Sequence, residues 1–320
     1  MSMIYKDIIR YNTRNDVEPV LSPWFQAKLR QLIDIGVYAD SKDVLRKGLV
    51  TQLIEYKNKF NVDTVVFGMS GGIDSALSAS LFKAAGWRVI GCTLPIDQNP
   101  EETDRGVEAC TALDIEHIQI DLTDTYNAYL DNACKEVDSK LTAREFDDKP
   151  ERVRAGNIRA RLRMITLYNL ANKFGGIVGS TDNFSELSAG FWTLHGDVGD
   201  VAPIQSLNKS WEVPMLAEHM GVPQSIVKAT PTDGLGVDAG DEAQFGFSYL
   251  EFDIVLYALL NNIFAEEGSD NEDTIKFNAI KDKVRQTVYK RINPVNLDHP
   301  IKGSALYDAL QNLDDNLIGE

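Results

Sequence analysis

Two patterns of apolar and polar positions alternate along this chain: short β-branched runs, and longer stretches with helical spacing. The compact runs are Val65-Val66-Phe67-Gly68, residues 88–95 (Arg-Val-Ile-Gly-Cys-Thr-Leu-Pro), residues 115–121 and Gly176-Ile177-Val178-Gly179. Runs of this length, bounded by glycine, proline or aspartate, predict strands. Between them the spacing predicts helices over 76–86, closed by Gly86, over 101–113, from about Asp124, and over 151–174. Upstream, Pro19 and Pro23 break the chain before an amphipathic stretch over 24–33. Ser41 then caps a helix to about Lys59, with Val44, Leu45, Leu49, Leu53, Ile54 and Tyr56 on its apolar side. Strands alternating with helices require right-handed crossovers, so the expected fold class is α/β, a doubly wound parallel sheet with helices on both faces. Residues 139–151 are polar and end in breakers, which predicts a mobile loop or lid.

Composition narrows the function classes. With 320 residues, 43% hydrophobic and 25% charged, the chain has the make-up of a globular protein with a sizeable core. No apolar run reaches the ~18 residues a membrane span needs, and residues 1–7 lack the basic-then-apolar layout of a signal peptide. A cytoplasmic protein without a membrane partner is expected. The 3 cysteines form no C-x-x-C pair and the 4 histidines show no ligand spacing, so neither a disulfide framework nor a transition-metal site is indicated. A net charge of −16 repels a phosphate backbone, which counts against a nucleic-acid partner. The exception to the acidic balance is the first half of the 151–174 helix, with Arg152, Arg154, Arg159, Arg161 and Arg163. At ~100° per residue, Arg154, Asn157 and Arg161 share one face and Arg152, Arg159 and Arg163 lie nearly opposite, so one face is expected at a ligand and the other in water or paired with acids.

The candidate chemistry begins where the first strand ends, at Gly68-Met69-Ser70-Gly71-Gly72-Ile73-Asp74-Ser75. Strand, small-residue turn and helix make an anion cradle, because the first N–H groups of a helix have no internal partner and the dipole adds positive potential. The lysine of the G-x-x-x-x-G-K-[ST] loop is missing and the spacing of the dinucleotide fingerprint is not met. G-x-S-x-G is met at Gly68, Ser70 and Gly72, so a serine nucleophile at Ser70, served by His195 or His299, stays open as a hydrolase alternative. A non-catalytic nucleotide-binding protein is a further alternative. At the fourth strand's end, Ser180-Thr181-Asp182-Asn183-Phe184-Ser185-Glu186 places a hydroxyl, a capping residue and a carboxylate together. Asp74 and Glu186 would then rise from two strand ends of one sheet, an oxygen pair suited to magnesium.

The S-G-G-x-D-S turn resembles the pyrophosphate loop of the ATP pyrophosphatase (PP-loop) superfamily. The ordered series that follows resembles the ammonia-dependent NAD synthetase family over about residues 45–300: Gly156-Asn157 to Met164, Ser180 to Glu186, Gly190-Phe191-Trp192-Thr193 with Gly196-Asp197, Leu207-Asn208-Lys209, Pro231-Thr232-Asp233, and Asp241-Glu242 with Gly246 and Tyr249. The resemblance implies an adenine nucleotide alpha hydrolase-like fold and amidation of deamido-NAD by ammonia at the cost of ATP, through an adenylate, with AMP and pyrophosphate released. It implies Asp74, Lys209 and Glu186 as catalytic groups, with Asp74 and Glu186 as the Mg2+ ligands. It implies Gly68, Ser70, Gly71, Gly72, Asp74, Ser75, Thr181, Lys209 and Thr232 around ATP, and Asn157, Arg161, Phe191, Asp197, Asp200, Tyr289 and Lys290 around deamido-NAD. A homodimer is expected by the same analogy. Residues 1–44 are then a helical arm for packing or subunit contact, too short for a glutamine-hydrolysing domain, so ammonia is the expected nitrogen donor; 301–320 form a tail. The chain departs from many relatives at Leu194, where they carry lysine, in the shorter Gly196-Asp197-Val198-Gly199-Asp200, at Tyr289 before Lys290, where they carry histidine, and at Thr93, where several carry arginine. A superfamily ligase acting on a different carboxylate is therefore the second reading.

Overall fold

The computed structural model describes residues 3–140, 148–231, 240, 242, 245–263, 271–292 and 300. The helices are α1 (Met3–Asn12), α2 (Pro23–Asp34), α3 (Lys42–Phe60), α4 (Ile73–Ala84), α5 (Pro100–Ala112), α6 (Thr123–Tyr129), α7 (Lys135–Lys140), α8 (Asp148–Phe174), α9 (Phe184–Ala189), α10 (Glu212–His219), α11 (Gln224–Val227), α12 (Tyr249–Leu260), α13 (Glu272–Gln286) and α14 (Val288–Arg291). The strands are β1 (Thr64–Gly68), β2 (Arg88–Thr93), β3 (Glu116–Gln119) and β4 (Ile177–Val178), in the order β3-β2-β1-β4, all pairs parallel. This is the doubly wound sheet that the alternation of runs predicts.

Alternate residues of a strand face opposite sides, and the two sides have separate cores. Val65, Phe67 and Val89 pack with α3, α4, α5 and α10; Val66, Ile90, Cys92 and Val178 pack with α6 and α8. Every residue of α4 from Ser75 to Phe82 is buried, as expected of a helix that is apolar on all sides and enclosed by others. A third core joins the arm to the C-terminal helices: Ile8, Phe25, Leu29 and Leu32 pack with Leu250, Phe252, Ile254, Phe277 and Ile280.

Several local expectations change. Pro23 starts α2 rather than breaking it: Ser22 accepts the Phe25 N–H and the proline occupies the first turn, where a missing N–H costs nothing. On α3, Leu45, Leu49, Leu53 and Tyr56 pack inward, but Val44 and Ile54 are exposed, because the α4/α10 surface covers only a narrow stripe of that helix. The 151–174 helix begins earlier, at Asp148, so the end of the polar 139–151 segment is helical. Its first two residues, 139 and 140, close α7; 141–147 of that expected lid lie outside the described residues, as do the tail and Thr232. A π-helical turn, Leu130–Cys134, joins α6 to α7.

Candidate active site

The glycine turn lies at the carboxyl end of β1, between α4 and α5. Gly72 is the N-cap of α4 and no side chain caps that end, so the first-turn N–H groups stay available. Ser70 Oγ accepts from Gly72 N–H (3.3 Å) and meets Ser75 Oγ (3.2 Å), which donates to Gly72 C=O (3.0 Å). Those contacts shape the turn and bring no histidine to Ser70; His299 lies outside the described residues and His195 is exposed. Gly71 has φ +82°, and a Cβ there would lie 2.2 Å from the Glu102 carbonyl. Gly106 has the same function from the other side, where a Cβ would meet Met69 C=O at 2.5 Å. The two glycines let α5 lie against the loop.

Charge converges next to this turn. The Lys209 ammonium pairs with Asp74 Oδ2 and lies 3.7 Å from Glu186 Oε1, with only 6% of the lysine side chain exposed. Asn183 ties the acids together: its amide donates to Asp74 Oδ1 (3.1 Å), its side-chain oxygen accepts Glu186 N–H (3.0 Å), and Glu186 Oε2 accepts Asn183 N–H (3.1 Å). That reciprocal capping box fixes Glu186 at the start of α9 and leaves Oε1 toward Lys209. The Tyr249 hydroxyl donates to Glu186 Oε1 (3.4 Å), and the Lys209 ammonium lies 5.4 Å from the centre of the Tyr249 ring. Beneath them, fully buried Asp253 accepts from Ser185 Oγ and from Ser210 N–H (2.9 Å), and Ser185 Oγ accepts Lys209 N–H (2.9 Å). Burial pushes the Asp253 carboxyl up to about 6.

A cavity of about 250 Å3 opens over this cluster. Gly68, Ser70, Gly71, Gly72, Asp74, Ser75, Thr181, Glu186 and Lys209 line it, as do Phe191 and Asp197 from the other end. Asp197 accepts Thr193 N–H through both oxygens (2.9 and 3.0 Å), and burial raises its carboxyl to about 7 despite that bond. Thr193 Oγ1 donates to Asn157 Oδ1 (2.6 Å), Arg161 donates to Leu194 C=O (3.2 Å), and Lys290 donates to Gly190 C=O (2.7 Å) and Trp192 C=O. Asn157, Arg161 and Lys290 thus hold the 190–197 loop from three sides. Asp200 sits off the cavity, accepting from Tyr168 Oη and Val178 N–H (both 2.8 Å) at the edge of β4, and Tyr289 is exposed.

Among the wall residues that the sequence reading did not assign to the site are Arg14, Gln98, Arg105 and Arg163. Arg163 donates to Leu94 C=O (3.0 Å) and Gln98 Oε1 (2.6 Å), and Arg105 to Gly71 C=O (3.4 Å). The expectation that only one arginine face of α8 meets the site is therefore corrected. Arg163 lines the cavity from the face opposite Arg161, while Arg154, Asn157 and Arg161 are not among its lining residues, and Asn157 and Arg161 instead bond the 190–197 loop. The stripe Ala160, Arg163, Met164, Leu167 was readable as i, i+3, i+4, i+7. Arg14 carried no local signal at all.

Comparison with known proteins gives a consistent result. The NAD synthase family model matches residues 45–294. The NH(3)-dependent NAD(+) synthetase of Alkaliphilus metalliredigens is 36% identical over 203 residues, 63% of this chain and 81% of that one. Among solved structures, the NMN synthetase of Francisella tularensis superposes with a TM-score of 0.67 at 29% identity, over 81% of this chain and 99% of that one. The NH3-dependent NAD synthetase of Campylobacter jejuni gives 0.62 at 26% identity, over 80% and 99%.

Proposed function

The chain belongs to the NAD synthase family, and from that premise we infer that it amidates deamido-NAD with ammonia at the expense of ATP, releasing AMP and pyrophosphate. It is a ligase that forms a C–N bond. The observation that carries this reading is the convergence of Lys209 on Asp74 and Glu186 beside an uncapped helix start, which is a site for a polyphosphate and its counter-ion.

The chemical task is to bring an anionic carboxylate to an anionic phosphate, so the residues must neutralise charge and fix orientation. The N–H groups of the Gly71–Ser75 turn and the Lys209 ammonium receive the phosphates, with Thr181 on the same wall. Two carboxylates around one cation form a donor set that a magnesium ion accepts, with phosphate oxygens and water completing its shell. Among the described residues no group of three or more His, Cys, Asp or Glu side chains could hold a metal ion. Bound at Asp74 and Glu186, magnesium would supply charge neutralisation of the phosphates.

At the other end, Phe191 and Asp197 face the acid, and Asn157, Arg161 and Lys290 act by holding the loop that carries them. The carboxylate oxygen of deamido-NAD attacks the α-phosphorus and the bond to pyrophosphate breaks. Asp197, half ionised near neutral pH, takes a proton from ammonium; the ammonia lone pair then attacks the acyl carbon, the acyl–oxygen bond to AMP breaks, and the new amide nitrogen sheds its extra proton to water. We place the protein in the cytoplasm; among the described residues no helix is long and apolar enough to cross a membrane. We also propose a homodimer, supported by Ile165 and Tyr168, exposed on α8; light scattering at the 35.6 kDa monomer mass would sink that proposal.

The deciding experiment supplies ATP, magnesium, ammonium and deamido-NAD, with the mononucleotide acid in a parallel reaction because one similar structure is an NMN synthetase. AMP release that depends on deamido-NAD is expected. AMP release with the mononucleotide alone would move the assignment to that acid, and none with either would end it.

A further inference from the structure

The arm before residue 45 lies outside the part of the chain that the family model matches, yet it reaches the active-site cavity through Arg14. Three contacts fix the turn that carries this residue. Arg10 forms a two-pronged pair with Glu218 (3.1 Å each), the Tyr11 hydroxyl donates to the same carboxylate, and Asn12 donates to Ser210 C=O (2.9 Å). Ser210 follows Lys209, so the turn is tied to the segment that supplies the catalytic ammonium. Arg14 and Val17 exchange backbone hydrogen bonds (3.1 and 2.8 Å), which closes the turn.

Arg14 itself is half-buried. One terminal nitrogen, Nη1, is committed to Tyr11 C=O (2.7 Å) and Thr13 C=O (3.1 Å). Nε is buried and has no hydrogen-bond partner among the described residues. Nε is enclosed, so a ligand in the cavity meets this guanidinium through its second terminal nitrogen, Nη2, which has no hydrogen-bond partner among the described residues, and an anion there gains a charge-assisted hydrogen bond. The charged neighbour of Arg14, Glu242, accepts Tyr249 N–H (2.7 Å), and Tyr249 in turn contacts Glu186 and Lys209. This link and the bond from Asn12 to Ser210 C=O put Arg14 beside the Lys209 segment. There a polyphosphate brings several negative charges to a cluster of two carboxylates and one ammonium.

We propose that Arg14 is a cationic ligand of the ATP polyphosphate, supplied by the N-terminal arm. The assignment rests on the cavity being the ATP site, as read above. Calorimetric titration of the full-length protein with Mg-ATP, magnesium pyrophosphate and adenosine tests it. Arg14→Ala is expected to weaken ATP and pyrophosphate roughly tenfold or more, and adenosine less than twofold; Arg14→Lys is expected to recover part of the loss. Lys6→Ala, which removes an exposed cation of the same arm that does not line the cavity, is expected to leave all three ligands within about twofold of wild type. Unchanged ATP affinity in Arg14→Ala, an equal loss for adenosine, or the same loss in Lys6→Ala would overturn the proposal. ATP binding without AMP formation from deamido-NAD would remove the acyl assignment and leave Arg14 standing; a wild-type protein that binds no ATP would remove both.

Discussion

The two ends of the cavity are built on different plans. At the end proposed for the phosphates the residues that define the motif line the cavity: an uncapped helix start, a glycine turn pressed against α5, and Lys209 between Asp74 and Glu186. At the end proposed for the acid most of the motif residues face one another. Asn157 holds Thr193, Asp197 accepts the Thr193 N–H, Arg161 holds Leu194 C=O, and Lys290 holds Gly190 and Trp192. The phosphate end is a charge device, while the acid end is a loop clamped into shape. Substitutions at the first should strike the chemistry, and those at the second should act through the loop that presents the acid.

The largest expected effect is at Lys209. Lys209→Met removes the only described cation that both Asp74 and Glu186 contact, and turnover should fall by roughly 10²–10³, the usual loss for one electrostatic donor in a water-poor site. Steady-state AMP release checks it; a variant within tenfold of wild type would erase the contrast between the two ends. Gly71→Ala comes next. The added methyl carbon meets backbone, Glu102 C=O at 2.2 Å, at φ +82°, so α5 or the turn must move. A displacement of that kind costs about 10²-fold in rate, with about 1–3 kcal/mol of strain in addition. At the acid end, Gly196→Ala meets Thr193 Cγ2 at 2.7 Å and the Cβ atoms of Ala160 and Thr193 at 3.0 Å, so the loop must shift by a few tenths of an ångström, but none of these atoms is backbone and the φ of Gly196 is not left-handed. Paired melting and rate measurements should rank Gly71→Ala well below Gly196→Ala.

The same asymmetry explains what could be read from the sequence. The phosphate end lies in short contiguous motifs because backbone turns make it, and a turn is a local object. The sheet was legible for a similar reason, since each strand fills one compact run. What stayed hidden depends on packing between distant segments. Asp253 looks like a polar interruption in the apolar α12 until Ser185 and Ser210 are found beside it. Arg14 precedes the glycine turn by more than fifty residues and reaches the cavity only because Arg10 and Tyr11 dock on α10. Val44 and Ile54 fit an apolar helix side by period, but whether a surface lies opposite them is not a local property.

The third prediction separates catalysis from stability at Asp197. An acid whose folded pKa is raised to about 7 is neutral below that pH and ionised above it, so activity should climb with pH about a midpoint near 7. Asp197→Asn should flatten that limb and lower turnover roughly 10- to 100-fold. Stability should move the other way. Between the ordinary carboxyl value of 3.8 and about 7 the folded state holds a proton that the unfolded chain has lost, so stability is full at the acid end of that window and falls as pH rises through it. Glu212 and Asp253, raised by burial to about 7 and about 6, contribute in the same direction. Activity and melting temperature are therefore expected to diverge across this range, and parallel profiles would mean that Asp197 has no part in the reaction.

The smallest effects test the clamp itself, at two adjacent residues of α14. Lys290 is half-buried; burial lowers its pKa below the ordinary lysine value, with Asp197 opposing that shift. Its ammonium bonds two carbonyls of the 190–192 segment and lies 5.3 Å from the centre of the Trp192 ring. Lys290→Met keeps the apolar stem and leaves both carbonyls without this donor, a loss of about 1–2 kcal/mol spread over a loop that water can partly reach. The KM for deamido-NAD should rise about 5- to 30-fold, while the KM for ATP stays within about twofold, because the loop's tie to the phosphate end, Phe191 N–H to Glu186 C=O (2.9 Å), is a backbone bond that the substitution leaves in place. Tyr289 is 54% exposed and is not among the residues that line the cavity, and Tyr289→His should change either constant less than about twofold. If instead Tyr289→His moves the acid KM and Lys290→Met does not, the acid is recognised by contact with α14, and the acid end is a charge-and-contact device like the other.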